Sequence, residues 1–393
     1  MRRFGAGLAA LALGAALSGC WLQPGFDAGN TNANTGEATI TAANVDLLDE
    51  QWSAEVGDAP VESLLALGSR VFTGGGVAGV PSVFGVQAAT GAPLWTATPA
   101  TDPSLPPPTA SDPVHVDGHL EVAWSLGAFG GRTTIDPATG QELSNTGGPG
   151  RGGTHTLAVV DGETAAGVRA QHQAFPGQVL TAVDWRCDAR SIDPLGGPTG
   201  GSTFAFVGDA LAWSHGTRAL GYRDCDPGSA TWATTWATEL GGTPTGVTAV
   251  GTGAVAYVDD TGTLSVLDAA TGAIRWTTEV GPGASRPTVA GARILVATPD
   301  ARLVAYAADT GSPVWRATLP AAGGRPVVGG DVAAVAVGTD VLAFPLDGCG
   351  AATCPALATL AVGSEITGGP IVDGGRLLVG TADARVVAFG LPT

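Results

Sequence analysis

Along the chain, apolar and polar residues alternate in short runs, the period of a strand whose side chains point to opposite faces. The clearest run is 264–267, which ends at Asp268; Thr271-Gly272 and then Trp276 follow. The same order returns in 303–306 with Thr310-Gly311 and Trp315, and earlier in 84–87 with Thr90-Gly91 and Trp95. A fourth copy keeps Asp136, Thr139 and Gly140 but has Ser144 where the others have Trp. A weaker one reads Tyr222, Asp224, Gly228 and Trp232. The Thr-Gly pair predicts a tight turn, because Gly accepts the positive φ that other residues resist. The Trp then falls on the next strand, where a large flat ring can fill the gap to a neighbouring sheet.

Copies recur every roughly 40–50 residues, the length of one four-stranded propeller blade rather than of a helical repeat. The pattern closely resembles the tryptophan-docking repeat of PQQ-type (quinoprotein-like) propellers, and the resemblance covers nearly all of the chain after residue 25. It implies an all-β fold, an eight-bladed β-propeller of four-stranded blades. Blades counted by the docking position fall at Trp52, Trp95, Ser144, near residue 190, Trp232, Trp276, Trp315 and near Ala358. The interval from 144 to 232 holds strand-like runs at 156–160, 165–169, 179–183, 204–207 and 210–213, enough for two blades. A seven-bladed ring is the alternative count. After residue 358 only three runs remain, at 366–372, 376–380 and 385–390. The fourth strand of the last blade is therefore expected from the segment ending at Trp52, a pairing that removes two open edges. The docking set is Trp52, Trp95, Trp232, Trp276 and Trp315 with Gly91, Gly140, Gly228, Gly272 and Gly311.

The first twenty residues change the picture of where the ring resides. Arg2 and Arg3 precede an apolar stretch, 6–17, of about a dozen residues, too short for a mature span. Leu17-Ser18-Gly19-Cys20 resembles the bacterial lipobox, in which small residues admit the chain to the signal peptidase and the thiol receives diacylglycerol. The expected organisation is a lipoprotein signal peptide over 1–20, a short tether over 21–36 and a single propeller over 37–393, extracytoplasmic and lipid-anchored through Cys20.

An oxidising compartment lets the other four cysteines pair. Cys349 and Cys354 flank the turn where other blades carry Thr-Gly and are expected to close a small loop. Cys187 and Cys225 follow Asp or turn positions in successive blades and are candidates for an inter-blade bridge. No CxxC with a His partner points to metal.

Charge excludes one class of partner. The formal net charge is −17, only 13% of residues are charged, and there is no lysine. Phosphate backbones are held by clustered cations, so nucleic acid is not expected. Catalytic templates are also missing: GxSxG, HExxH, a P-loop and a βαβ GxGxxG do not occur. His115 and His119 have a metal-like spacing only on a helix. With Asp117-Gly118 between them they read as a hairpin, with His115 opposite Leu120 and Val116 opposite His119, on different faces. Asp259 and Asp260 read as turn formers, and the Pro-rich stretch 99–113 as a surface loop.

The quinoprotein resemblance implies one enzymatic alternative, a PQQ-dependent dehydrogenase with quinone and calcium in the ring centre. Enzymes of that class usually carry a disulfide between adjacent cysteines and a set of acidic and amide ligands, which this sequence does not show. No cofactor is expected. A plan of lipobox, repeat and eight blades is similar to the lipoprotein subunit of the outer-membrane β-barrel assembly machine. That likeness implies a non-catalytic, monomeric scaffold holding an envelope or secreted protein partner; a cell-wall or carbohydrate-binding propeller is the other alternative.

Overall fold

The computed structural model describes residues 20–98, 109–110, 112–116, 118–126, 129–149, 154–160, 163–170, 181–183, 191–192, 204–208, 210–223 and 231–392. Among these residues the chain forms eight sheets that follow one another in sequence order, seven of them with four or more strands. The first blade runs from Leu65–Leu67 to Pro93–Ala97 and the second from Thr109–Ala110 to Glu142–Pro149. The third, from Thr154–Val160 to Thr181–Val183, has three described strands. The fourth ends at Thr231–Glu239 and the fifth runs from Pro244–Val250 to Ile274–Glu279. The sixth runs from Thr288–Ala290 to Pro313–Thr318, the seventh from Val327–Gly329 to Ala358–Ala361, and the eighth from Ile366–Asp373 to Arg385–Gly390.

Within a complete blade the strands pair antiparallel in chain order, and the first strands of the fourth to eighth blades touch one another in succession. Those first strands line the centre. The second strands Ala254–Asp259 and Val332–Val337 are buried at every position, because a neighbouring blade covers each face. Alternation is therefore lost there and returns on the outermost strands, such as Pro313–Thr318, where every other residue meets water.

The ring closes through its N-terminal part. Asp49–Glu55 pairs antiparallel with Arg385–Gly390, placing Trp52 opposite Ala388, so the eighth blade takes its outermost strand from the start of the chain. Ile40, Val45 and Leu48 ahead of that strand belong to the same apolar core as Leu377, Val379 and Phe389.

Residues 21–36 correct the expectation of a tether. Trp21 is 1% exposed, and Ala33 and Asn34 form a short parallel strand against Val328–Gly329 of the seventh blade. A tether needs free chain, whereas this segment is packed inside the ring.

Candidate functional site

Among the described residues, five tryptophans make joints between blades. The indole N–H of Trp52 donates to Ala88 O at 2.9 Å, Trp95 to Pro137 O at 3.1 Å and Trp236 to Ala269 O at 2.8 Å. Trp276 donates to Ala308 O at 3.0 Å and Trp315 to Leu346 O at 2.9 Å. Each acceptor lies in the turn of the following blade, and each ring covers that turn's glycine. A Cβ on Gly91, Gly140, Gly272, Gly311 or Gly348 would stand 2.4–2.7 Å from the ring, and all five have positive φ. Two independent demands thus meet at one residue: the turn needs a left-handed conformation and the indole needs the space.

Trp232 is corrected by this geometry, because the ring over Gly272 belongs to Trp236. Ten residues separate Ala305 from its partner Trp315, whereas fifteen separate Gly221 from Trp236. The longer connection moves the docking residue four positions further along the strand Thr231–Glu239. The signal that could have found it is Gly221 itself, which leaves room beneath the Trp236 indole just as Gly85 does beneath Trp95. Gly348 was also missed, because the turn it serves contains no Thr-Gly pair. Ser144 stands opposite Thr134 and Ala358 opposite Ala343, the register that Trp315 has against Ala305. Gly228, Cys187, Cys225 and the position near 190 lie outside the described residues.

Cys349 and Cys354 form a disulfide, with Cα atoms 5.6 Å apart. The loop it closes reaches the sixth blade's outer strand: Arg316 N donates to Ala352 O at 3.0 Å and Cys354 N to Arg316 O at 2.8 Å. The loop thereby covers part of an exposed sheet edge. His115 pairs with Leu120 and Val116 with His119. His115 is buried, and that burial, with His119 nearby, holds its pKa below the usual value.

The inner edge of the ring is lined by the chain's own residues 21–34, bound mainly through backbone atoms. Ala66 N donates to Trp21 O at 3.0 Å, His115 N to Leu22 O at 2.7 Å and Phe206 N to Ala28 O at 2.8 Å. Ala249 N then donates to Gly29 O, Val289 N to Thr31 O, and Val328 N to Asn32 O, at 2.8, 2.9 and 3.1 Å. These donors come from the inner strands of six different blades, so the segment follows the inner edge of the ring. Asparagine amides add to it: Asn30 donates to Val247 O at 2.9 Å and Asn34 to Val372 O at 3.0 Å.

A buried cation fastens this coil. Arg325 Nη1 donates to Asn30 Oδ1 at 2.8 Å and Nη2 to Pro287 O at 2.9 Å. Burial, followed by repulsion from Arg286, pushes its pKa down to about 9, so it stays charged at neutral pH. Asp27 accepts from Thr31 N at 2.9 Å and Thr31 Oγ1 at 2.7 Å. Burial nevertheless raises the Asp27 pKa, against those hydrogen bonds and the Arg325 charge.

At the other end of the coil two carboxylates face each other. Burial works against ionised Glu37, but N–H donors from Gly375, Thr39 and Ile40 outweigh it and hold its pKa below the ordinary value. Asp373 is pushed up to about 7, first by burial and then by the Glu37 charge.

Around this coil the inner edge of the ring is taken up by own-chain backbone, the buried Arg325 guanidinium is engaged by Asn30 and Pro287 oxygens, and among the described residues no three His, Cys, Asp or Glu side chains converge. Away from the centre, a groove of about 460 Å³ at the fifth and sixth blades is lined by Glu279, Thr298, Asp300, Arg302, Tyr306 and Arg316.

Residues 222–393 match a family model of PQQ-type repeats described as "Outer membrane protein assembly factor BamB". Among solved structures, the quinohemoprotein alcohol dehydrogenase ADHIIG of Pseudomonas putida HK5 is similar, with a TM-score of 0.67 at 13% identity. The match covers 98% of this chain and 82% of that one. The quinohemoprotein alcohol dehydrogenase of Comamonas testosteroni matches equally, with a TM-score of 0.67 at 14% identity and the same coverage. A europium-containing methanol dehydrogenase follows with a TM-score of 0.66 at 13% identity, covering 95% of this chain and 98% of that one. No curated protein matches by sequence. Identities this low show the fold alone.

Proposed function

We propose that this PQQ-type repeat propeller is an extracytoplasmic lipoprotein, anchored through Cys20, that works as a non-catalytic protein-binding scaffold in the cell envelope. The observation that carries the reading is the occupied inner edge of the ring. With residues 21–34 bonded to the inner strands of six blades, hydrogen-bonding groups there are taken up by the chain itself and recognition falls to the loops and grooves of the outer surface. The match of 222–393 to an outer-membrane assembly factor family supports a protein partner in the envelope. The anchor rests on the lipobox-like 17–20, and among the described residues no helix is long and apolar enough to cross a membrane. A carbohydrate-binding role would call for open aromatic platforms, but the five docking indoles are committed to blade joints.

In-cell crosslinking of the full chain followed by purification from the membrane fraction tests the proposal. Reproducible recovery of one or a few envelope proteins is expected. Recovery of none above an unrelated lipoprotein control would overturn the scaffold reading.

The quinoprotein fold of the structural neighbours favours one second reading, a PQQ-dependent dehydrogenase. It is separated by adding PQQ with calcium: saturable absorbance change and dye reduction with an alcohol would establish it.

A further inference from the structure

The chain leaves no slack between Cys20 and the ring. Trp21 is fully buried, bridges to Ala66 and meets the Phe26 ring edge-on with centroids 5.0 Å apart. Cys20 is half-buried beside Gly68 and Asp373, in the turns between first and second strands of the first and eighth blades. A free tether of sixteen residues would let the ring wander about 20 Å from its anchor. Docked as it is, the segment allows no such distance.

Those turns share one face with the turns under the docking tryptophans. Ala88 N donates to Ser69 O, Ala269 N to Gly253 O, Ala308 N to Ala292 O and Leu346 N to Asp331 O, at 2.8–3.1 Å, joining the two sets in four blades. Exposed large apolar side chains collect at the same end. Leu94, Leu143 and Val314 each stand three residues after a turn glycine, and Ile274 stands two after. Leu47 lies in the short 3-10 helix that leads into the closing strand. Of the exposed large hydrophobics among the described residues only Val77 lies at the opposite end, beside the turn between Arg70–Val77 and Val80–Gln87. Single exposed apolar residues are ordinary on any surface. Their restriction to the end that holds Cys20 is not.

We propose, resting on the lipoprotein reading, that the propeller lies face-down. The face of the turn glycines sits on the lipid surface with Leu47, Leu94, Leu143, Ile274 and Val314 at its rim, and the opposite face is presented to the partner. The same face carries Asp136 and Asp309 and the ion pairs Arg275–Asp268 and Arg293–Asp347, with no cationic cluster to draw anionic lipid, so contact is apolar and suits zwitterionic lipid.

The test uses the acylated full chain in phosphatidylcholine vesicles containing a lipid quencher near the head groups. An environment-sensitive fluorophore is introduced as a genetically encoded amino acid at 94, 143 or 77. Quenching at 94 and 143 at least twofold stronger than at 77 is expected. Equal quenching at the three positions, or stronger quenching at 77, in a protein whose N-terminal peptide carries the diacylglyceryl mass would overturn the orientation alone. Absence of that mass would overturn the anchor reading and the orientation with it.

Discussion

The indole N–H of Trp52 donates to the carbonyl of Ala88 at 2.9 Å, and this bond helps join the last blade to the first. Trp52 sits on the strand that completes the eighth sheet, and its ring covers Gly91 of the first. Trp52→Ala therefore removes a blade joint while the backbone pairing of Asp49–Glu55 with Arg385–Gly390 stays in place. A loss of about 3–5 kcal/mol is expected, as for large buried aromatics. The urea midpoint should fall accordingly, and removal of 37–52 should abolish cooperative melting.

Gly311 separates the two demands on the turn glycines. Gly311→Ala meets both a positive φ and the Trp276 ring, 2.4 Å from the new Cβ. Gly283 has a positive φ of 87° with open space around it. Gly283→Ala should cost roughly the 1–2 kcal/mol of the left-handed backbone alone. Gly311→Ala should cost clearly more, read as the difference in urea midpoints.

Asp373 gives the molecule a pH dependence of defined sign. Its folded pKa of about 7 lies above its unfolded value near 3.8, so the folded state holds the proton more tightly. The stability it contributes is fully present below about pH 4 and is lost as the pH rises through 7. Comparing melting temperatures at pH 5 and pH 8, Asp373→Asn should lose less stability over this interval than the wild-type chain.

The Cys349–Cys354 disulfide closes a short loop, so its entropic contribution is roughly 2 kcal/mol. Replacing both residues by Ser should lower stability by about that amount. Faster amide exchange should be confined to Arg316 and Cys354, whose N–H groups hold the loop to the sixth blade.

What could be read before the fold was known follows from where information is local. The Thr-Gly-to-Trp spacing around Gly272 and Gly311 is carried within thirteen residues, so the repeat and its blades were legible. The closing strand was legible too, because the last blade visibly lacked a partner for Arg385–Gly390. The course of 21–34 was not. Its bonds join residues such as Asn30 and Arg325, 295 apart in sequence, and use backbone atoms that leave no side-chain pattern. Trp236 was hidden for a related reason: a longer connection moved the docking residue away from the spacing that identifies the others.

Amide hydrogen exchange at the inner edge of the ring tests the central claim most directly, since the surface-binding reading depends on an inner edge occupied by the chain's own backbone. Ala249, Val289 and Val328, which donate to Gly29, Thr31 and Asn32, are expected to exchange as slowly as the core strand Ala254–Asp259. Exchange of these three amides at the rate of exposed turns would show the inner edge to be open and would contradict the account.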